Sequence, residues 1–122
     1  MKVLIAEDDE FLLKVYRMTL EQEEFDVVIA EDGEEALEQA KKEKPDLILL
    51  DILMPKKDGF DVLKELKENK DLKDIPVIIL SNLGQEADIE KGKALGAVDY
   101  IIKGDVDIEN VIQKVKKYDR SK

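Results

Sequence analysis

Five short apolar runs, each followed by a longer amphipathic stretch, confine this chain to a narrow set of folds. The runs are Val3 to Ala6, Phe25 to Ala30, Leu47 to Leu50, Val77 to Leu80 and Val98 to Ile102. Leu47 to Leu50 is apolar without alternation, as a central strand covered on both faces would be, and Pro76 leads into the similar run at Val77. The stretches between them repeat at helical spacing. In the first, Phe11, Val15 and Met18 form one stripe with Leu12, Tyr16 and Leu20 beside it, and Asp9 is the expected N-cap. The second runs from Glu34 to Lys42 through Ala36, Leu37 and Ala40 and is stopped by Pro45; the third runs from Asp58 to Glu68 through Val62, Leu63 and Leu66. The fourth, Glu86 to Leu95, has the weakest stripe: Ala87, Ala94 and Leu95 contribute, whereas Glu90, Lys91, Gly92 and Lys93 do not, and Gly96 is its expected left-handed cap. The fifth, Ile108 to Tyr118, carries Val111, Ile112 and Val115. Right-handed β-α crossovers repeated five times predict an α/β, doubly wound (βα)5 three-layer sandwich with a five-stranded parallel sheet. Residues 1–118 are expected to make one domain, and 119–122 a short C-terminal tail.

Charged residues sit where three of these strands end. Val3 to Ala6 runs into Glu7-Asp8-Asp9, Leu50 into Asp51, and Ile102 into Lys103. In parallel sheets of this kind the carboxyl ends share one edge, and ligands bind in the crevice there. Several carboxylates beside one ammonium point to a divalent cation held by oxygen ligands, with an anionic group brought to it. Composition removes other chemistries. There is no cysteine and no histidine, which excludes disulfides, thiolate chemistry, imidazole bases and the usual zinc ligands. The formal charge of -10 argues against direct contact with nucleic acid or an anionic membrane. No apolar stretch of spanning length and no leader pattern is present, so a cytoplasmic location is expected. The glycines form neither a dinucleotide fingerprint nor a phosphate loop.

With Glu7-Asp8 after the first strand, Asp51-Ile52-Leu53-Met54-Pro55 and Asp58-Gly59 after the third, Ser81 after the fourth, and Tyr100 and Lys103 on the fifth, the chain resembles a response-regulator receiver domain, the phosphoaspartate module of two-component signalling. The resemblance spans essentially the whole chain. It implies a flavodoxin-like strand order 2-1-3-4-5. It also implies that Asp51 accepts a phosphoryl group from a sensor histidine kinase or a histidine phosphotransfer protein. Magnesium would be held by Asp8, Asp51 and the backbone carbonyl of Leu53, with Glu7 acting through a bound water. Lys103 would pair with a phosphoryl oxygen, and Ser81 would donate to another. Ser81 and Tyr100 would form the switch, altering a surface of the fourth helix, fifth strand and fifth helix that meets a downstream protein or a second copy. The domain would not be an enzyme in the usual sense, although it would support its own phosphotransfer and slow dephosphorylation.

The chemistry is consistent with that set. Bringing a phosphoryl group to a carboxylate opposes like charges, so positive charge must stand where the phosphoryl oxygens will be. A hard cation that keeps several waters, as magnesium does, meets this need, and lysine adds a point charge. Each residue also has an ordinary alternative. Asp8 and Asp9 fit helix capping, which we assign to Asp9; Asp51 fits a solvated strand end, Lys103 a surface lysine, Ser81 a turn beside Asn82, and Tyr100 the core. Two positions depart from the family pattern: Gly104 replaces the usual proline after the lysine, and Asn82 the small residue after the hydroxyl. The resemblance also implies that Leu53 and Leu83 flank the path of attacking water; neither can orient it by hydrogen bonding, which predicts slow hydrolysis. Other readings are a receiver-like interaction module that is not phosphorylated, a metal-dependent nucleic-acid enzyme, disfavoured by Leu53 and the acidic charge, and a flavodoxin-type electron carrier, which lacks its phosphate-binding loop.

Overall fold

The computed structural model describes residues 1–119. Their parallel sheet is built from β1 (Lys2–Ala6), β2 (Asp26–Ala30), β3 (Leu47–Leu50), β4 (Val77–Ser81) and β5 (Asp99–Ile102) in the order 2-1-3-4-5. Five helices alternate with the strands: α1 (Glu10–Gln22), α2 (Gly33–Glu43), α3 (Gly59–Glu68), α4 (Glu86–Ala94) and α5 (Ile108–Lys116). The expected fold class is thus the observed one. Of the expected tail, 120–122 lie outside the described residues.

Successive side chains of a strand point to opposite faces, and here this divides the core in two. Val3, Ile5, Leu47, Leu49, Ile78 and Leu80 pack with α1 and α5, while Leu4, Ala6, Ile48, Leu50, Val77 and Ile79 pack with α2 and α3. β3 lies between β1 and β4 with all four residues buried, which explains its unbroken apolar run. Side-chain caps hold the helix starts. Asp9, Asp32, Asp58 and Asp107 accept backbone N–H groups of α1, α2, α3 and α5. α2 ends on Lys44 at φ 45°, one residue before Pro45. Gly96, at φ 108°, follows α4 in the conformation expected of it.

Two expectations are corrected. Along α1, Phe11 and Met18 are 74% and 52% exposed and Val15 is half-buried, whereas Leu13, Tyr16 and Leu20 face the sheet. Both sets have helical spacing, and only the fit of the helix onto the sheet and α5 selects the phase. In α4, Ala87 and Ala94 are exposed and Leu95 is half-buried, while the fully buried residue is Gly92. A methyl group there would stand 2.6 Å from Ile79 Cδ1 and 3.1 Å from Tyr100 Cδ2, so the missing side chain is what lets this polar helix approach the sheet. Strand and helix ends otherwise shift by one or two residues, as at Val98, which is exposed and precedes β5. Among the described residues no helix is long and apolar enough to cross a membrane.

Candidate functional site

The site is built at the carboxyl edge by neighbouring strands. Backbone pairing carries past the strand ends, with Glu7 N–H donating to Ala30 O at 3.0 Å and Asp51 N–H to Ala6 O at 3.0 Å. This fixes the roots of both acidic residues. Both residues are buried, at 3% and 6% exposure, while Asp8 is exposed beside them. Glu7, Asp8 and Asp51 each bring a carboxylate oxygen into a group whose members lie within 4.8 Å of one another. All are hard oxygen donors. Such a set suits magnesium or a similar hard cation, with no nitrogen or sulfur ligand to favour a softer metal.

Lys103 enters from the end of β5. Its ammonium donates to Glu7 and, at 3.0 Å, to Asp51 Oδ2. Asp51 Oδ1 accepts the Ile52 N–H at 2.7 Å. Burial is the main cause that raises the Glu7 pKa, to about 7, assisted by the Asp51 carboxylate, with Lys103 opposing. Burial works against the Lys103 charge, but the hydrogen bond with Glu7 and the charge of Asp51 outweigh it, so its pKa lies above the ordinary lysine value. One ammonium thus stands between two buried carboxylates, of which Glu7 holds a proton more readily than an ordinary glutamate does.

Ser81 closes β4 fully buried, and its Oγ accepts the Leu83 N–H at 3.3 Å. Tyr100, half-buried on β5, donates its hydroxyl to Leu83 O at 2.6 Å. The two residues expected to form the switch thus both hydrogen-bond the backbone of Leu83, Ser81 through its N–H and Tyr100 through its carbonyl. Leu53 is 57% exposed, whereas Leu83 packs on the core. This leaves Leu53 at the rim and gives Leu83 a structural role. Asn82 is exposed, and the residue after Lys103 lies in a 3-10 turn, Lys103–Asp105, with no cis peptide bond among the described residues.

Sequence reasoning missed several neighbours. Tyr16 was visible only as a core residue, yet burial raises its hydroxyl pKa, and the charges of Lys103, Glu7 and Asp51 act on it. The loop between Asp51 and α3 bends at Lys56, which has φ 70°. A non-glycine residue there carries strain of about 1–3 kcal/mol and needs its surroundings to hold it. The contacts that do so come from Asp32 and Gly33 at the start of α2, where the only sequence signal was an Asp-Gly pair suggesting a turn. A cavity of about 600 Å³ lies elsewhere, between Met1, Pro45, Lys67, Pro76, Val98 and Tyr118. It lies at the opposite edge of the sheet and shares no residue with the acidic cluster.

Known proteins resemble this chain in sequence and fold. Residues 3–116 match the family model for the response regulator receiver domain. The alkaline phosphatase synthesis transcriptional regulatory protein PhoP of Bacillus subtilis is 42% identical over 102 residues, which cover 84% of this chain and 42% of that protein. The chain thus spans less than half the length of the curated relatives it matches. Among solved structures, the Francisella response regulator 1452 receiver domain superposes with a TM-score of 0.90 at 34% identity, covering 99% of this chain and 98% of that one. A chain from the CheX-CheY-BeF3-Mg2+ complex of Borrelia burgdorferi gives a TM-score of 0.88 at 34% identity, with 96% and 87% covered. On sequence, strand order and superposition alike, the chain belongs to the response regulator receiver domain family of two-component signalling.

Proposed function

We propose that this domain is a phosphorylation-dependent switch that accepts a phosphoryl group on Asp51. The observation that carries this reading is the buried Asp51 carboxylate set between the acidic pair Glu7 and Asp8 and the Lys103 ammonium. Asp51 oxygen attacks phosphorus in a phosphohistidine donor; the phosphorus–oxygen bond forms, the phosphorus–nitrogen bond breaks, and the departing imidazole takes a proton from solvent. Bound Mg2+, held by Asp8, Asp51 and the Leu53 carbonyl with Glu7 behind a water, would supply positive charge to the phosphoryl oxygens. Lys103 exchanges a carboxylate partner for a phosphoryl oxygen. Water later attacks phosphorus, releasing phosphate and restoring the carboxylate.

The donor is a sensor histidine kinase or a histidine phosphotransfer protein, and the output face is α4-β5-α5. Ser81 leaves Leu83 N–H for the phosphoryl group, and Tyr100 follows as the bond to Leu83 O is released. That face then meets a downstream protein or a second copy. A family relative solved with BeF3 and Mg2+ supports the choice of ion and of a phosphoryl-like anion. Contact with DNA is not proposed for this acidic chain. Incubation with Mg2+ and acetyl phosphate, followed by intact mass, tests the reading: one phosphoryl mass should appear in the native protein and be absent from Asp51→Asn. Full labelling of the variant would overturn it.

A further inference from the structure

The loop that carries the proposed Leu53 ligand is not held by its own strand and helix alone. At its base, Gly59 N–H donates to Ile52 O at 2.8 Å. At its tip, Pro55 O accepts two N–H groups, from Lys57 at 2.8 Å and from Gly33 at 3.3 Å. The first of these closes a tight turn around Lys56 in its positive-φ conformation. The second comes from another layer element, the first residue of α2. Gly33 approaches so closely that a Cβ there would fall 2.0 Å from Lys57 O and 2.6 Å from Lys57 Cβ. The nearest obstacle is backbone, so no rotamer change relieves it. Next to it, the Asp32 carboxylate caps α2 through Glu35 N–H at 2.8 Å and also stands 3.6 Å from the Lys56 ammonium. A hydrogen bond, an ion pair and a contact that only glycine permits therefore converge on one three-residue turn.

We infer that Gly33, with Asp32, is a positioning residue for the phosphoacceptor loop: the start of α2 holds the Pro55–Lys57 turn in place and thereby fixes the Leu53 carbonyl that would serve as a metal ligand. This rests on the proposed phosphorylation switch. Gly33 itself touches neither metal nor phosphoryl group. Its φ is not positive, so what it supplies is closeness and not an unusual backbone conformation. A methyl group there must push the turn outward. The strained Lys56 then loses its support, and the carbonyl two residues before Pro55 loses its fixed direction. Groups that orient metal ligands in this way commonly change metal affinity by about 10–100-fold.

The test is a Mg2+ titration followed by backbone amide shifts in the labelled full chain, without phosphodonor. Gly33→Ala should raise the Mg2+ midpoint about tenfold. Acetyl phosphate labelling should shift to higher Mg2+ by the same factor and recover at saturating Mg2+, which general loss of structure would not produce. Asp32→Asn keeps a capping side chain but loses the charge facing Lys56, and should raise the midpoint about twofold at low salt. A folded Gly33→Ala protein with the native midpoint would overturn the inference. If Gly33→Ala does not fold, an unchanged midpoint in Asp32→Asn would overturn it instead. Failure of the native chain to respond to Mg2+ at all would instead sink the underlying functional reading.

Discussion

Lys103 Nζ lies 3.0 Å from Asp51 Oδ2 although their strands are not neighbours, β4 running between β3 and β5. The long lysine crosses above the end of β4, and its side chain is only 10% exposed. Its charge is thus held between Glu7 and Asp51. Removing it leaves two buried carboxylates facing each other. Lys103→Met should destabilise the metal-free protein by about 3 kcal/mol at pH 8, as for one partner removed from a buried pair. The loss should be smaller at pH 6, where Glu7 holds a proton. Urea unfolding at the two pH values measures both; equal losses would argue against the proton on Glu7.

Glu7 sets a pH dependence of its own. Its folded pKa is about 7 against an ordinary 4.5, so between these values the folded protein binds more protons than the unfolded chain. The stability this group contributes is present below about pH 4.5 and is lost as pH rises through about 7. For the metal-free protein the loss is on the order of 3 kcal/mol. Glu7→Gln should flatten that part of the profile. Since loss of the Glu7 proton adds a negative charge behind the proposed metal-bound water, Mg2+ affinity should rise across the same interval, as titrations at pH 6 and pH 8 would show.

Tyr100→Phe keeps the ring and removes the 2.6 Å bond to Leu83 O. The expected cost is about 0.5–1.5 kcal/mol, with faster amide exchange in residues 82–85. In the native protein, phosphorylation should change exchange over Glu86–Ala94 and Asp99–Lys116, with a coupling of about 1–3 kcal/mol. Changes confined to α1 and α2 would contradict the proposed output face.

The lifetime of the phosphorylated state should depend on Leu53. Its exposed side chain cannot orient a water, whereas asparagine can, so Leu53→Asn should shorten the half-life severalfold while Mg2+ still binds. Leu83 is a different case. It packs on the core, so Leu83→Glu should lower the melting temperature before it affects hydrolysis.

Gly104 has open space around it: a methyl group added there would meet nothing within 4 Å, and its φ is not positive. Gly104→Ala should therefore stabilise the protein by about 0.4–1 kcal/mol, by restricting the unfolded chain. Thermal unfolding checks this. A destabilised variant would mean that the turn after Lys103 needs glycine.

The alternation of apolar runs and helical stripes by itself determined the five-unit parallel fold, because strand and helix periods are local properties of the chain. The same holds for Asp9 as a cap and for the charged strand ends, which short motifs mark. Tertiary structure alone decided the phase of α1, since the Phe11-Val15-Met18 and Leu12-Tyr16-Leu20 stripes are both spaced for a helix, and only packing against the sheet buries Tyr16 and Leu20 with Leu13 and leaves Phe11 and Met18 exposed. It also decided that Gly92 is the buried residue of α4, because a missing side chain has no hydrophobic signature but permits close approach to Ile79 and Tyr100. The carboxylates of Glu7 and Asp51 could be read as candidates, but their burial, the proton affinity of Glu7 and their shared lysine come from elements far apart in sequence. Desolvation and charge pairing depend on distances in space, and those exist only once the strands are laid side by side.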